Sequence, residues 1–112
     1  MPSPTTSYPS LRGKVAFVTG GGVNNAAHDT RSMARDLGPY GIRINTVTPG
    51  WVMTERQLRE HVDADSDAII AVNQCMPGKV MPADLAAMVL FLAANDSRMC
   101  TVQEFVVDAG WT

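Results

Sequence analysis

Residues 38–54, G-P-Y-G-I-R-I-N-T-V-T-P-G-W-V-M-T, constrain the fold of this chain more than any other stretch. Gly38 and Pro39 form a helix stop: glycine readily takes the left-handed backbone that ends a helix, and proline cannot continue one. Ile42, Ile44, Thr46 and Val47 then place β-branched side chains along residues 42–47, and Pro49-Gly50 closes the run with a turn. The stretch therefore predicts a strand between a helix end and a loop, which is half of an α/β repeat.

The rest of the chain extends that repeat. Residues 14–18 form a short valine-rich run that ends in Thr19 and three glycines, which suits a buried parallel strand stopping at a turn. Residues 20–29, G-G-G-V-N-N-A-A-H-D, show neither helical nor strand periodicity and read as loop. Thr30 can cap a helix over residues 31–37, with Met33, Ala34 and Leu37 on one face. Helical stretches follow from Thr54 or Glu55 to about His61, and over residues 65–74 with Ala68, Ile69 and Val72 at helical spacing. Pro82 opens the strongest helix, residues 83–94, whose Leu85, Met88, Val89 and Leu92 form an apolar stripe. Residues 105–107 are a third strand. Strand, glycine turn, helix, strand, helices, strand is the order of an α/β layer structure with a parallel sheet.

Bulk properties remove several function classes. At 112 residues the chain is one domain at most, with residues 1–10 a flexible tail and residues 11–112 the folded part. Nine Lys and Arg against 11 Asp and Glu give a net charge of -2 with no basic block, which argues against nucleic-acid binding. Cys75 and Cys100 are far apart and lack zinc-ligand spacing, so reduced thiols in the cytoplasm and no metal site are expected. Residues 1–10 have neither a basic start nor an apolar run, and the longest apolar stretch, residues 85–94, is too short to span a bilayer. No membrane association is expected.

Three sets of residues carry a family resemblance. Residues 11–22, L-R-G-K-V-A-F-V-T-G-G-G, resemble the opening of the short-chain dehydrogenase/reductase family, in which a first strand leads into a Thr-Gly-x-x-x-Gly-x-Gly turn. Thr19 and Gly20 match, while Asn24 and Ala26 stand where later glycines belong. Glycines there let a backbone approach a pyrophosphate, and they serve equally as a turn with no phosphate to hold. V-N-N-A-A, residues 23–27, is similar to the family's Asn-Asn-Ala-Gly segment, which borders the adenine side of the cofactor. Residues 30–54 are similar to the second half of the helix that bears the catalytic Tyr-x-x-x-Lys, the sixth strand and the Pro-Gly loop after it. Residues 57–112 resemble the lid, last helix and last strand. W-V-M-T-E-R-Q, the later Q-C and the terminal D-A-G-W most resemble dehydrogenases that oxidise galactose, arabinose or xylose at C1.

The resemblance implies a partial Rossmann-like three-layer domain with a reduced, mostly parallel sheet, and NAD or NADP as cofactor. It implies cofactor contacts at Thr19, Gly20 and Asn24, and nicotinamide contacts at Pro49, Gly50, Val52 and Thr54. In the family Val102 is usually glycine, so the turn into the last strand is expected to differ. The family's last helix and strand commonly form a subunit interface, which implies a homo-oligomer or a full-length relative as partner.

The family's proton-transfer residues are missing. Hydride transfer there uses a Tyr, a Lys four residues on that lowers its pKa, and a Ser that orients the substrate. The tyrosines are Tyr8 and Tyr40, followed at that spacing by Arg12 and Ile44, so no Tyr-x-x-x-Lys exists and no catalytic residue is assigned. Two internal blocks are absent from the family framework, one between Gly22 and Val23, the other near residues 28–30. In the family the first and sixth strands are not neighbours. Each is therefore expected to face an unpaired edge, unless the remaining strands repack or a partner supplies the missing ones. An oxidoreductase by descent with little activity of its own, or a non-catalytic interaction module, are the two readings that follow. Asp63, Asp65 and Asp67 start like a calcium loop, but Ala68 and Gln74 stand where it needs Gly and Glu, so a helix-capping turn is expected. His28-Asp29 and His61 with Asp63 read as surface groups, because no serine has the setting of a nucleophile.

Overall fold

The computed structural model describes residues 16–20, 24–60 and 62–112; the expected tail at residues 1–10, the middle of the glycine turn and His61 lie outside them. Strands β1 (Ala16–Gly20), β2 (Arg43–Pro49) and β3 (Glu104–Val107) form one sheet in that order. Both pairings are parallel. Ala16 through Gly20 lie opposite Arg43 through Val47, and Thr46 through Pro49 lie opposite Glu104 through Val107. Central β2 buries four consecutive residues, Ile44 to Val47, the mark of a strand covered on both faces. Edge strand β3 alternates between exposed and half-buried positions.

The direct pairing of β1 with β2 settles the expectation about edges: the two strands that the resemblance separates have repacked side by side. What joins them is α1 (Asn24–Leu37), so β1, α1 and β2 make one βαβ unit. Here the sequence reading needs correction twice. Residues 24–29, expected as loop, are helical, and Thr30, expected to cap the helix, lies inside it. Thr30 is buried and its hydroxyl meets that of Thr46 on β2 at 3.0 Å. A threonine whose hydroxyl is satisfied by the sheet has no need of the capping position. Ala34, one turn further on, is buried on the same face.

After β2 the chain forms α2 (Glu55–Glu60), α3 (Ser66–Asn73) and α4 (Pro82–Ala93). These three agree with the helical stretches read from the sequence to within two residues. Pro82 stands in the first turn of α4, and the Asp84 carboxylate accepts the Met81 N–H at 2.7 Å, satisfying one of the donors a helix start leaves open. At the other end the Arg43 guanidinium donates to the carbonyls of Ala94 (3.2 Å) and Ser97 (2.9 Å) and to the Ser97 hydroxyl (2.9 Å).

Side chains alternate across a strand, so these bonds assign the layers. Thr46 turns towards α1, whereas Arg43 and Asn45 turn towards the chain leaving α4, with the Asn45 amide donating to the Cys100 carbonyl at 3.0 Å. Helices α1 and α4 thus cover opposite faces, giving three layers. Because the sheet is traversed in one direction throughout, its two crossovers have opposite hands, and one departs from the usual right-handed rule.

Candidate cofactor-binding site

The carboxyl end of the sheet gathers most of the residues singled out in the sequence. Thr19 and Gly20 end β1, opposite Thr46 and Val47; Asn24 opens α1; Pro49 ends β2 and Gly50 follows it. From this end β1 continues to α1 on one face and β2 continues towards α4 on the other. Ligands of open α/β sheets bind outside the carboxyl ends of the strands. Adjacent strands stand about 4.8 Å apart, so Thr19 and Gly20 at the end of β1 lie one strand spacing from Thr46 and Val47 on β2. The helix expected over residues 31–37 is longer than read: α1 has 14 residues and begins at Asn24.

Each residue of the second loop has its own setting. Pro49 is exposed. Gly50 donates its N–H to the Val107 carbonyl at 2.9 Å, and a Cβ there would lie 2.5 Å from the Asp108 Cβ and 2.7 Å from its Cα. Glycine at 50 is thus required by the chain's own packing against Asp108. Val52 forms an isolated parallel bridge with Val80, reinforced by the buried Met53, whose N–H donates to the Val80 carbonyl at 2.8 Å. Thr54 caps α2: its Oγ1 accepts the Gln57 N–H at 3.1 Å. That bond uses one acceptor position and leaves the O–H of an exposed side chain free to donate to a ligand.

Among the described residues, the Pro-Gly loop with the Thr54 hydroxyl donor suits the nicotinamide end of a dinucleotide, while Asn24 at the start of α1 stands where a phosphate turn has glycine. These residues do not supply proton transfer. Tyr40 lies in the turn Gly38–Tyr40, 79% exposed, before β2 begins, and so sits at the opposite end of a strand roughly 20 Å long. Lys79 pairs with Asp67 at 3.3 Å. The Ser97 hydroxyl is buried against the end of α4, and that of Ser66 holds the Asp63 N–H at 2.9 Å in a helix-entry turn. Asp63 also accepts the Asp65 N–H at 2.9 Å, so this acidic stretch works as a local turn. Among the described residues no three His, Cys, Asp or Glu side chains gather as metal ligands, and no helix is long and apolar enough to cross a membrane.

Some features of this region were missed in the sequence. A cleft of ≈ 390 Å³ beside α3 is lined by Asp67, Ile70, Gln74, Cys75 and Lys79 among others. It is shaped by Gln74, whose buried amide donates to the carbonyls of Met76 (3.0 Å) and Gly78 (2.7 Å). Trp111 meets Trp51 edge to face, with ring centroids 6.4 Å apart. The D-A-G that precedes Trp111 was the one local signal of a turn at this place: Gly110 donates its N–H to the Asp108 carboxylate at 2.8 Å.

Comparison with known proteins agrees with this architecture. The family model described as "Enoyl-(Acyl carrier protein) reductase" matches residues 24–112. The D-xylose 1-dehydrogenase of Caulobacter vibrioides is 45% identical over 82 residues, which cover 73% of this chain and 33% of that protein. The "Probable galactose dehydrogenase GalD" of Rhizobium meliloti is 38% identical over 81 residues, 72% of this chain and 32% of that one. A solved 7α-hydroxysteroid dehydrogenase complexed with NADH and 7-oxo glycochenodeoxycholic acid superposes with a TM-score of 0.70 at 27% identity, covering 79% of this chain and 34% of the other. This chain thus spans about a third of the length of the curated relatives it matches. Its parallel sheet, its Pro-Gly loop and a match over most of its length establish that the chain belongs to the short-chain dehydrogenase/reductase family of oxidoreductases.

Proposed function

We propose that this chain carries the nicotinamide-side portion of an NAD(P)-dependent sugar dehydrogenase and does not transfer hydride on its own. The observation that carries the reading is the absence of any Tyr-x-x-x-Lys in the 112 residues, together with the position of Tyr40 at the wrong end of β2. The sugar class is supported by the similarity to D-xylose and galactose dehydrogenases. A nicotinamide nucleotide supplies a hydride acceptor to such a reaction when bound. Thr19 and Gly20 would hold its phosphates, Asn24 would border its adenine side, and Pro49, Gly50, the backbone at Val52 and the Thr54 hydroxyl would hold its carboxamide. Removing the alcohol proton is the task for which these residues offer no base. The test is direct: purified chain with NAD or NADP and D-xylose or D-galactose should give no reduced nicotinamide above the enzyme-free rate. Sustained turnover would overturn the reading.

A second reading, a non-catalytic module that associates with itself or with a longer relative through α4 and β3, is favoured by exposed apolar side chains on both elements. Val89 and Phe91 on α4 are 38% and 37% exposed, and Val106 on β3 is 52% exposed.

A further inference from the structure

The last five residues touch two segments far apart in sequence. Along one side they follow the end of α3: the Gly110 carbonyl accepts the Cys75 N–H at 3.0 Å, the Ala109 carbonyl accepts the Met76 N–H at 3.0 Å, and Thr112 donates its N–H to the Asn73 carbonyl at 2.8 Å. Along the other side they meet the Pro-Gly loop. Asp108 fills the space that a side chain on Gly50 would need, and Trp111 packs on Trp51 at an interplanar angle of 77°. Trp51 in turn donates its indole N–H to the Gln57 amide oxygen at 3.1 Å, on α2.

The backbone is bent to make both contacts. Ala109 and Gly110 have φ of 57° and 76°, consecutive left-handed residues, and a Cβ on Gly110 would stand 2.8 Å from the Cys75 Cβ. Helix α2 needs the help, for it buries no residue of its own. Its position depends on the Thr54 cap and on Trp51, whose orientation Trp111 supports.

We propose that residues 108–112 form a clasp that fastens the loop at residues 49–54 to α2 and to the end of α3, so that the three segments open and close as one local unit ahead of the sheet. Occupation of the Pro-Gly loop would then be felt at Cys75 and Met76, and disturbance of the C-terminal turn would loosen the loop. The inference does not depend on catalysis or on cofactor binding, because it concerns contacts within the free chain.

Hydrogen exchange of the full chain tests it, with Trp111→Ala and Trp111→Phe as variants. Losing an aromatic pair and the hydrogen bond it supports should speed exchange at Leu58, Cys75 and Met76 on the order of tenfold in W111A. The Thr46 and Val102 amides, which bond within the sheet region, should stay unchanged, and W111F should stay within about twofold of the parent because it keeps an edge-to-face ring. Unchanged exchange at Leu58 and Cys75 in W111A would overturn the clasp, as would equal acceleration at Thr46. A measurement on the unaltered chain covers the case in which W111A does not fold. The two tryptophans of the sequence meet at the contact between clasp and loop, so their fluorescence reports that contact alone. In rising urea the fluorescence change and exchange at Cys75 should coincide, below the urea concentration that releases Thr46. A fluorescence change that accompanies only the release of Thr46 would reject the proposal.

Discussion

Val102 has a φ of 63°, a left-handed conformation that crowds a β-branched side chain against its own backbone. Two residues ahead of β3, its N–H donates to the Ile44 carbonyl at 2.8 Å, which fixes the turn against β2. Strain of this kind costs about 1–3 kcal/mol. Glycine would relieve it, against roughly 0.5–1 kcal/mol of added chain entropy and the loss of a half-buried side chain. Val102→Gly is therefore expected to leave stability unchanged or to raise it by up to about 1 kcal/mol, read from the urea midpoint at constant slope. A loss larger than that would mean that packing of the valine outweighs its strain. The sequence made this departure from the family legible, since glycine is usual at the position. What it left hidden was the outcome: the valine itself takes the left-handed conformation. Gly50 is similar. Its need to be glycine was legible, but the close neighbour is Asp108, 58 residues away, and no local pattern announces a contact at that separation.

At the level of elements, all three strands were readable from their β-branched runs, and α4 from its stripe and its proline. The first half of α1 was not. Residues 24–29 contain no apolar period, so only their alanines favour a helix locally, and the helix reads clearly only from the point where it packs on β2. Arg43 shows the converse, a single residue whose role joins two elements. Its planar guanidinium reaches both the Ala94 and Ser97 carbonyls, closing the end of α4 from the sheet and placing positive charge at the negative end of that helix. Arg43→Ala should cost about 1.5–3 kcal/mol, the range for hydrogen bonds to a charged group, while the two carbonyls keep the Ser97 and Cys100 amides as donors. Arg43→Lys should recover less than half of that, since one ammonium cannot reproduce the fixed fork. Chemical denaturation of the two variants checks both expectations; full recovery by lysine would show that charge alone matters.

For the whole molecule, the balance of buried and exposed apolar groups is the governing fact. Among the described residues eight apolar side chains are buried, with only Ile44 and Leu92 both large and almost fully enclosed, while 12 large apolar side chains are exposed. A sheet of three strands has proportionally more edge than a longer one, and β3 ends it with an open row of backbone donors and acceptors. Val106 on that edge and Val89 and Phe91 on α4 are among these exposed groups. A chain built this way is expected to self-associate through β3 and α4 at concentrations where a closed domain stays single, with a weight-average mass in sedimentation that rises above the monomer value. Val106→Lys separates this from general stickiness. A lysine on an edge strand opposes pairing with a second edge, yet at an exposed site it should change the chain's own stability by no more than about 0.5 kcal/mol. The variant should therefore sediment as monomer while melting like the parent. If it associates as strongly as the parent, the contact lies elsewhere on the surface. If the parent is already monomeric across the concentration range, the exposed apolar side chains are merely solvated, and the reading as an interaction module loses its support.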